Sequence, residues 1–374
     1  MKLTKFFAMM LAVASFAVGC EPTPNDEKVP DASGAITLEV NSPAIELGKE
    51  IVFTVMQEGK DVTAAATIYS TKTYTEVENP YTPATTGTFS FYATKGKESS
   101  PVITVTVMAS VPELPADAQP DNTKFNHRIL LIDHTGVNCG NCPRVMDGLV
   151  ALAETDAHNH YNEVCVHGGG YAPSGSDKAY SDDARIVDQF YQSISRFGYP
   201  NIRFNFYDGE GSISGVAQFV SQNTNIINSL VKADGADAGI AVAANGDSSS
   251  VFVSLAVKAA VEQEYKVSAW LLENNIYNPR QSGASEDYHK LHNFALRKIG
   301  GQFSKSDLSG DSLGVIKAGE TKEYSFELPI ISNQWVVENM DVLIIVSAKD
   351  EKGRFEVVNT ANCKVNDVKE FEYL

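Results

Sequence analysis

Cysteine is scarce in this sequence, with five in 374 residues, and no second CxxC accompanies the pair Cys139 and Cys142. A structural zinc site takes about four ligands, commonly two such pairs or one pair with spaced histidines. Only His134 and His167 fall where a fold could bring them near the pair, so a metal clip is not expected. Basic residues are also few, 30 Lys and Arg against 47 Asp and Glu, which gives a formal net charge of −17. That balance argues against nucleic acid and against anionic lipid surfaces as partners. Long hydrophobic runs are missing too. The apolar stretch from Phe6 to Phe16 is well short of the roughly 20 residues a membrane-spanning helix needs, and no later stretch approaches that length. The mature chain is therefore expected not to cross a bilayer.

What the first residues do carry is an export pattern. Lys2 and Lys5 precede the apolar run, and the small residues Ala17, Val18 and Gly19 stand directly before Cys20. This is the layout of a secretory signal peptide, here residues 1–19. A cleavage site ending in Cys resembles the lipobox of bacterial lipoproteins, which implies that Cys20 is the lipidated first residue of the mature chain and its membrane anchor. Residues 20–34, Pro-rich and acidic, read as a flexible tether. Within them Glu21, Asp26 and Glu27 resemble the export tags of some surface lipoproteins. Export places the remaining thiols in an oxidising compartment.

The rest of the chain divides by pattern. Residues 35–109 alternate apolar and polar positions over short segments, as at Ile51, Phe53 and Val55 or Ile103, Val105 and Val107, with turn signals between them. The pattern predicts a small β-sandwich, and "GKEIVFTV" and "TGTFSFYATKGKESSPVITVTV" resemble bacterial immunoglobulin-like domains. Residues 110–125 carry three prolines up to Lys124 and read as a linker. From 126 to 235 strands alternate with helices: "RILLIDH", then "PRVMDGLVALAE", "NEVCVH", "DDARIVDQFYQSISRF" capped by Ser181, "NIRFNFYDG" and "GVAQFVSQNTNIINSLVKA". Alternation of this kind predicts an α/β domain built around a sheet. From 236 to 374 evenly spaced strands return, which predicts a second, C-terminal all-β sandwich, interrupted at 274–300 by an excursion of mixed character. Long ordered insertions of that kind are often functional. The expected fold class is thus multidomain: an N-terminal all-β immunoglobulin-like sandwich, a central α/β domain and a C-terminal all-β sandwich.

The CxxC falls between a strand and the first turn of a helix, with Pro143 next to Cys142. There the Cys139 sulfur lies near unpaired backbone N–H groups and the positive end of the helix dipole, which stabilises a thiolate. The spacing lets Cys142 attack a mixed disulfide from one turn away. "LLIDHTGVNCGNC" is similar to the first strand and active-site turn of the thioredoxin superfamily. That resemblance implies a thioredoxin-like domain over roughly residues 126–233, and it assigns Asp133 as the buried acid moving the proton of Cys142. It also assigns Pro200, in "FGYPNIRFNFYDG", as a cis-proline facing the dithiol, with Tyr199 before it as a substrate-binding residue. Asn138 stands where thioredoxins carry an aromatic residue, and Gly140-Asn141 replaces their common Gly-Pro, so potential and rate are left open.

Other motifs carry less. Cys165 in mid-strand reads as a buried thiol, while Cys363 is either buried or free. "HGGG" at 167–170 and "GDSLG" at 310–314 match an esterase oxyanion loop and nucleophile elbow around Ser312, but the strand before and helix after that an elbow requires are absent. His289 and His292 lack a third ligand nearby. Gly168 to Gly170 lack the Lys and Ser or Thr of a phosphate loop. The lipoprotein start, the β-rich front, the CxxC region and a tail with "HNFALRK" and "GETKEYSFELP" together resemble the outer-membrane-protein-28-related lipoproteins of Gram-negative bacteria. Two functions follow as expectations for a lipid-anchored envelope protein, placed in the outer membrane and open to surface exposure. In one it is a thiol-disulfide oxidoreductase acting on envelope protein disulfides, with the redox-active Cys139–Cys142 disulfide as its sole redox group and no other cofactor. In the other it is a non-catalytic surface lipoprotein for adhesion or protein binding, with an inert disulfide. Protein partners and the membrane, through Cys20, are the expected contacts.

Overall fold

The computed structural model describes residues 36–374. The signal peptide, Cys20 and the whole tether lie outside the described residues. Two compact units are formed. The first takes the described residues through Glu39 together with Thr54–Glu78 and Ser90–Ile103; the second takes Val40–Phe53, Asn79–Phe89 and Thr104–Leu374. In the first unit, 67–70 pair antiparallel with 91–94, and 94–95 turn back onto 98–99. Val55, Ile68, Phe91 and Ala93 are among its buried apolar positions.

In the second unit one nine-stranded sheet dominates. Ile129–His134 pairs parallel with Tyr161–Val166 on one side and antiparallel with Asn201–Phe204 on the other. Strand Ala295–Gly300 then joins Tyr161–Val166 through Cys165 and Ala295 and pairs antiparallel with Gln263–Glu273. Beyond it the sheet continues through Met340–Lys349 to Phe355–Lys364, with Asp311–Ile316 also on Gln263–Glu273. Among the described residues there are three α-helices: α1 Cys142–Ala153, α2 Asp182–Ile194 and α3 Val216–Leu230.

Period-two alternation explains how one sheet carries different covers. Ile129 and Leu131 pack with Val145, Leu149 and Phe219 of α1 and α3, while Leu130 and Ile132 pack on the opposite face with Val187 and Phe190 of α2. Farther along, Trp270, Leu272, Leu343 and Ile345 extend that α2-side core. Their neighbours Leu271, Val342 and Ile344 face a four-stranded sheet that supplies Val242, Val253, Leu255 and Leu328. Helices α1 and α3 and the second sheet thus cover adjoining parts of one face, while α2 covers the other.

This architecture overturns the expected fold class. The strands assigned to a central α/β, thioredoxin-like domain are continuous with those assigned to a C-terminal sandwich, and the chain is predominantly β. The predicted immunoglobulin-like sandwich is likewise divided between the two units. The physical reason for the main discrepancy is strand Ala295–Gly300. It carries Arg297 and Lys298 and sits inside the excursion at 274–300, so its sequence hides a strand that is buried at five of six positions. Arg297 is tolerated there because its Nε donates to Glu273 at 2.6 Å, with both side chains 3 % exposed.

Candidate functional site

The turn between Ile129–His134 and α1 is held by several backbone hydrogen bonds. Thr135 N–H donates to Val166 O (3.1 Å), Asn138 N–H to Tyr171 O (2.9 Å) and Cys139 N–H to Gly136 O (2.9 Å). Val137 N–H donates to the Asp177 carboxylate at 2.8 Å, which also accepts from His167 Nδ1 at 2.9 Å and from Ala179 N–H. Burial raises the Asp177 pKa, but the charge and hydrogen bond of His167 and the two backbone donors prevail and hold it well below the usual range. Cys139 and Cys142 are joined in a disulfide, and Pro143 sits in the first turn of α1. The cap residue Asn141 makes no side-chain bond to the helix N-terminus.

Residues 278–289 lie over this turn. Ser282 N–H donates to Val137 O at 2.7 Å, and Gln281 Nε2 donates to Cys139 O at 3.2 Å. Gly283 adopts a φ of +73°, and a Cβ there would come within 2.1 Å of Gly140 O, so only glycine fits against the disulfide turn. Farther along the same segment, His289 Nε2 donates to Asp147 Oδ1 at 2.7 Å, and Tyr288 OH donates to the same oxygen. His289 Nδ1 accepts the N–H groups of Ser285 and Glu286, which fixes the tautomer with the proton on Nε2. The consequence is a sealed disulfide: Cys139 is 2 % and Cys142 1 % exposed.

The other predicted residues are distributed around this turn. Asp133 is buried, and its carboxylate accepts from Cys165 Sγ at 3.5 Å. Burial pushes its pKa up to about 7, against the pull of His167 and of the Cys165 bond. The Tyr199–Pro200 bond is cis. The Tyr199 hydroxyl donates to Asp188, which also accepts from His134 Nδ1 at 3.1 Å. Tyr199 reaches the disulfide turn through Tyr171: their rings are 5.3 Å apart, and Tyr171 O accepts from Asn138. Its hydroxyl is therefore committed inside the protein. Cys165 and Cys363 are both buried free thiols, each with its pKa raised by burial. Ser312 lies on strand Asp311–Ile316, as its flanking sequence predicts. His292 stacks edge-on to His167 with ring centroids 4.8 Å apart, and burial beside that ring lowers its pKa to about 3. No group of three or more metal-ligating side chains occurs among the described residues.

Sequence reasoning missed a cleft of about 970 Å³ next to this turn. Its walls come from 174–182, 273–280 and 331–339, with the Arg297–Glu273 pair at its base. Asn278 Nδ2 donates to Ser176 O at 3.0 Å and ties two of the walls together. Trp335 lies 5.4 Å from the Arg297 guanidinium, ring centroid to carbon, a cation–π distance. The available signal was Trp335 itself, one of two tryptophans, standing in the polar stretch "ISNQWVVEN".

The family described as outer membrane protein Omp28 matches residues 188–369. Over that segment the chain is similar to the Omp28 family, a likeness that supports an outer-membrane or cell-envelope location. The match runs from α2 through both sheets and leaves out Cys139 and Cys142. Among solved structures, HBP35 of Porphyromonas gingivalis superposes with a TM-score of 0.52 at 17 % identity, over 67 % of this chain and 78 % of that one. The likeness is one of fold. A β-glucosidase from Kluyveromyces marxianus gives a TM-score of 0.18 at 12 % identity, over 42 % of this chain and 19 % of that one, too low to carry an argument. No curated protein matches the chain. No helix among the described residues is long and apolar enough to cross a membrane.

Proposed function

We propose that this is a cell-envelope binding protein, lipid-anchored through Cys20, in which the Cys139–Cys142 disulfide is a structural clasp. The observation behind this reading is burial of both sulfurs beneath 278–289. Thiol–disulfide exchange requires a thiolate to approach a sulfur, so access governs the rate. A redox reading keeps one point in its favour. The bridge sits at the uncapped start of α1, where a Cys139 thiolate released by reduction would be stabilised.

Glutathione titration of the folded chain separates the two. A structural clasp resists reduction down to a potential below about −300 mV, and Cys142→Ser traps no partner. A potential between about −270 and −120 mV, with mixed disulfides captured by Cys142→Ser, would overturn the binding reading.

A further inference from the structure

We infer that the cleft between 174–182, 273–280 and 331–339 binds an acidic polypeptide segment that also carries apolar side chains. This rests on the binding reading above and supplies its site and ligand class. Size is the first argument: about 970 Å³ lies at the upper end of ligand-site volumes, roughly 300–1,000 Å³.

Charge is the second. Two anions of the cleft are buried and paired, Asp177 with His167 and backbone donors and Glu273 with Arg297; the third, Asp182, is 80 % exposed, accepts from Tyr180 OH at 2.8 Å and lies 3.7 Å from Arg185. Lys178 and Arg280 are exposed, and among the described residues neither has an anionic partner within 4 Å. In a chain of net charge −17, two unneutralised cations in one cleft make a local site for carboxylates.

The third argument is the apolar surface between those charges. Ile331 is 67 %, Tyr277 51 % and Val336 43 % exposed, alongside the half-buried Trp335. Branched aliphatic groups match leucine or valine side chains and do not match a hydroxyl-covered saccharide. Removal of that surface from water favours binding by about 25 cal/mol per Å², and the cations fix which peptide is chosen.

The test uses the full chain and the fluorescence of Trp335, since Trp270 is 0 % exposed in the core. The probe is a short capped peptide alternating glutamate with leucine, compared with its glutamine counterpart and with an oligogalacturonate. A saturable fluorescence change with the glutamate peptide is expected. It should weaken with salt, weaken at least tenfold in Lys178→Glu or Arg280→Glu, and vanish in Trp335→Phe. Both charged side chains are exposed, so these variants should fold normally, which circular dichroism checks. Equal binding of the glutamate and glutamine peptides, no response, or tighter binding of the oligogalacturonate would overturn the inference. The glutathione titration is independent of this readout. An inert disulfide with an unresponsive cleft sinks the inference alone, whereas an exchange-active disulfide beside a responsive cleft sinks the structural-clasp reading alone.

Discussion

The disulfide turn and the adjoining cleft are built from overlapping segments and have opposite characters. In the turn, the N–H groups of Thr135, Val137, Asn138, Cys139 and Cys142 are paired with neighbours, glycine fits where a side chain would collide, and the sulfurs are out of reach. In the cleft, the buried acidic side chains are satisfied internally while two cations and several apolar side chains are left facing solvent. Residues 273–280 line the cleft, and the residues that follow immediately seal the disulfide. The difference teaches that the most conspicuous motif in a sequence can be the part of the region whose interactions are already complete.

The largest way to break this pairing is at the cleft floor. Glu273→Gln would leave the buried Arg297 guanidinium with the Lys178 and Tyr180 carbonyls and only the more distant charge of Asp177 in place of its paired carboxylate. The expected loss is about 3–5 kcal/mol in urea unfolding. A second substitution acts on the seal. Gly283→Ala places a methyl group against Gly140 O and forces a positive φ on a residue that resists it. A loss of about 1–3 kcal/mol is expected, with reduction of the disulfide by dithiothreitol accelerated at least tenfold. Gly319→Ala is the control: its φ is +82° but its Cβ would meet open space. That variant should carry the backbone penalty with no change in sulfur access; equal acceleration in both would mean that Gly283 does not seat the cover.

Much of the local structure was legible in the sequence. The apolar run Ile129 to Ile132 gave a strand, Val145, Leu149 and Leu152 gave the buried face of α1, and Ser181 caps α2 by accepting from Ala184 N–H at 3.0 Å. The CxxC and the Tyr199–Pro200 dipeptide also stood out. The joining of two regions into one sheet did not, because it depends on Arg297, whose burial makes sense only with Glu273 opposite. The cleft was hidden for a related reason: its lining comes from three separated segments, none of which has a periodic pattern. Pairings between distant residues leave no trace in local spacing.

The third prediction concerns Asp133, which the structure places beside Cys165. Burial raises its folded pKa to about 7, whereas an unfolded aspartate titrates near about 4. Between those values the folded state holds a proton that the unfolded chain has released, so this contribution to stability falls as pH rises. Asp133→Asn removes it. The stability of the variant relative to wild type should rise from pH 4 to pH 7 by at most about 1.4 kcal/mol per pH unit and then level off. Urea unfolding at several pH values measures that difference, and other titrating groups common to both proteins cancel. A flat difference would mean that Asp133 is ionised inside the protein.

The smallest effect sharpens the comparison most, because it separates access to the sulfurs from stability of the whole. Asp147 accepts from both His289 Nε2 and Tyr288 OH at the far end of the cover. Burial is the largest single influence and raises its pKa, but these two bonds and the His289 charge together outweigh it and lower the pKa, so the carboxylate is charged and the latch complete at neutral pH. Asp147→Asn retains an acceptor oxygen but loses the charge, and the proton on His289 Nε2 is fixed by the backbone donors at Nδ1. Because Asp147 is partly exposed, the expected cost to global stability is about 1 kcal/mol or less. The rate of disulfide reduction should nonetheless rise severalfold, since lifting 278–289 exposes the bridge without unfolding the sheets. With a phosphine reductant, which needs no thiolate, wild type should show the same acceleration only as pH falls through the depressed pKa of Asp147, where protonation releases the latch. If reduction instead keeps pace with global unfolding in both proteins, the cover does not open by itself, and the disulfide is reached only through loss of the fold.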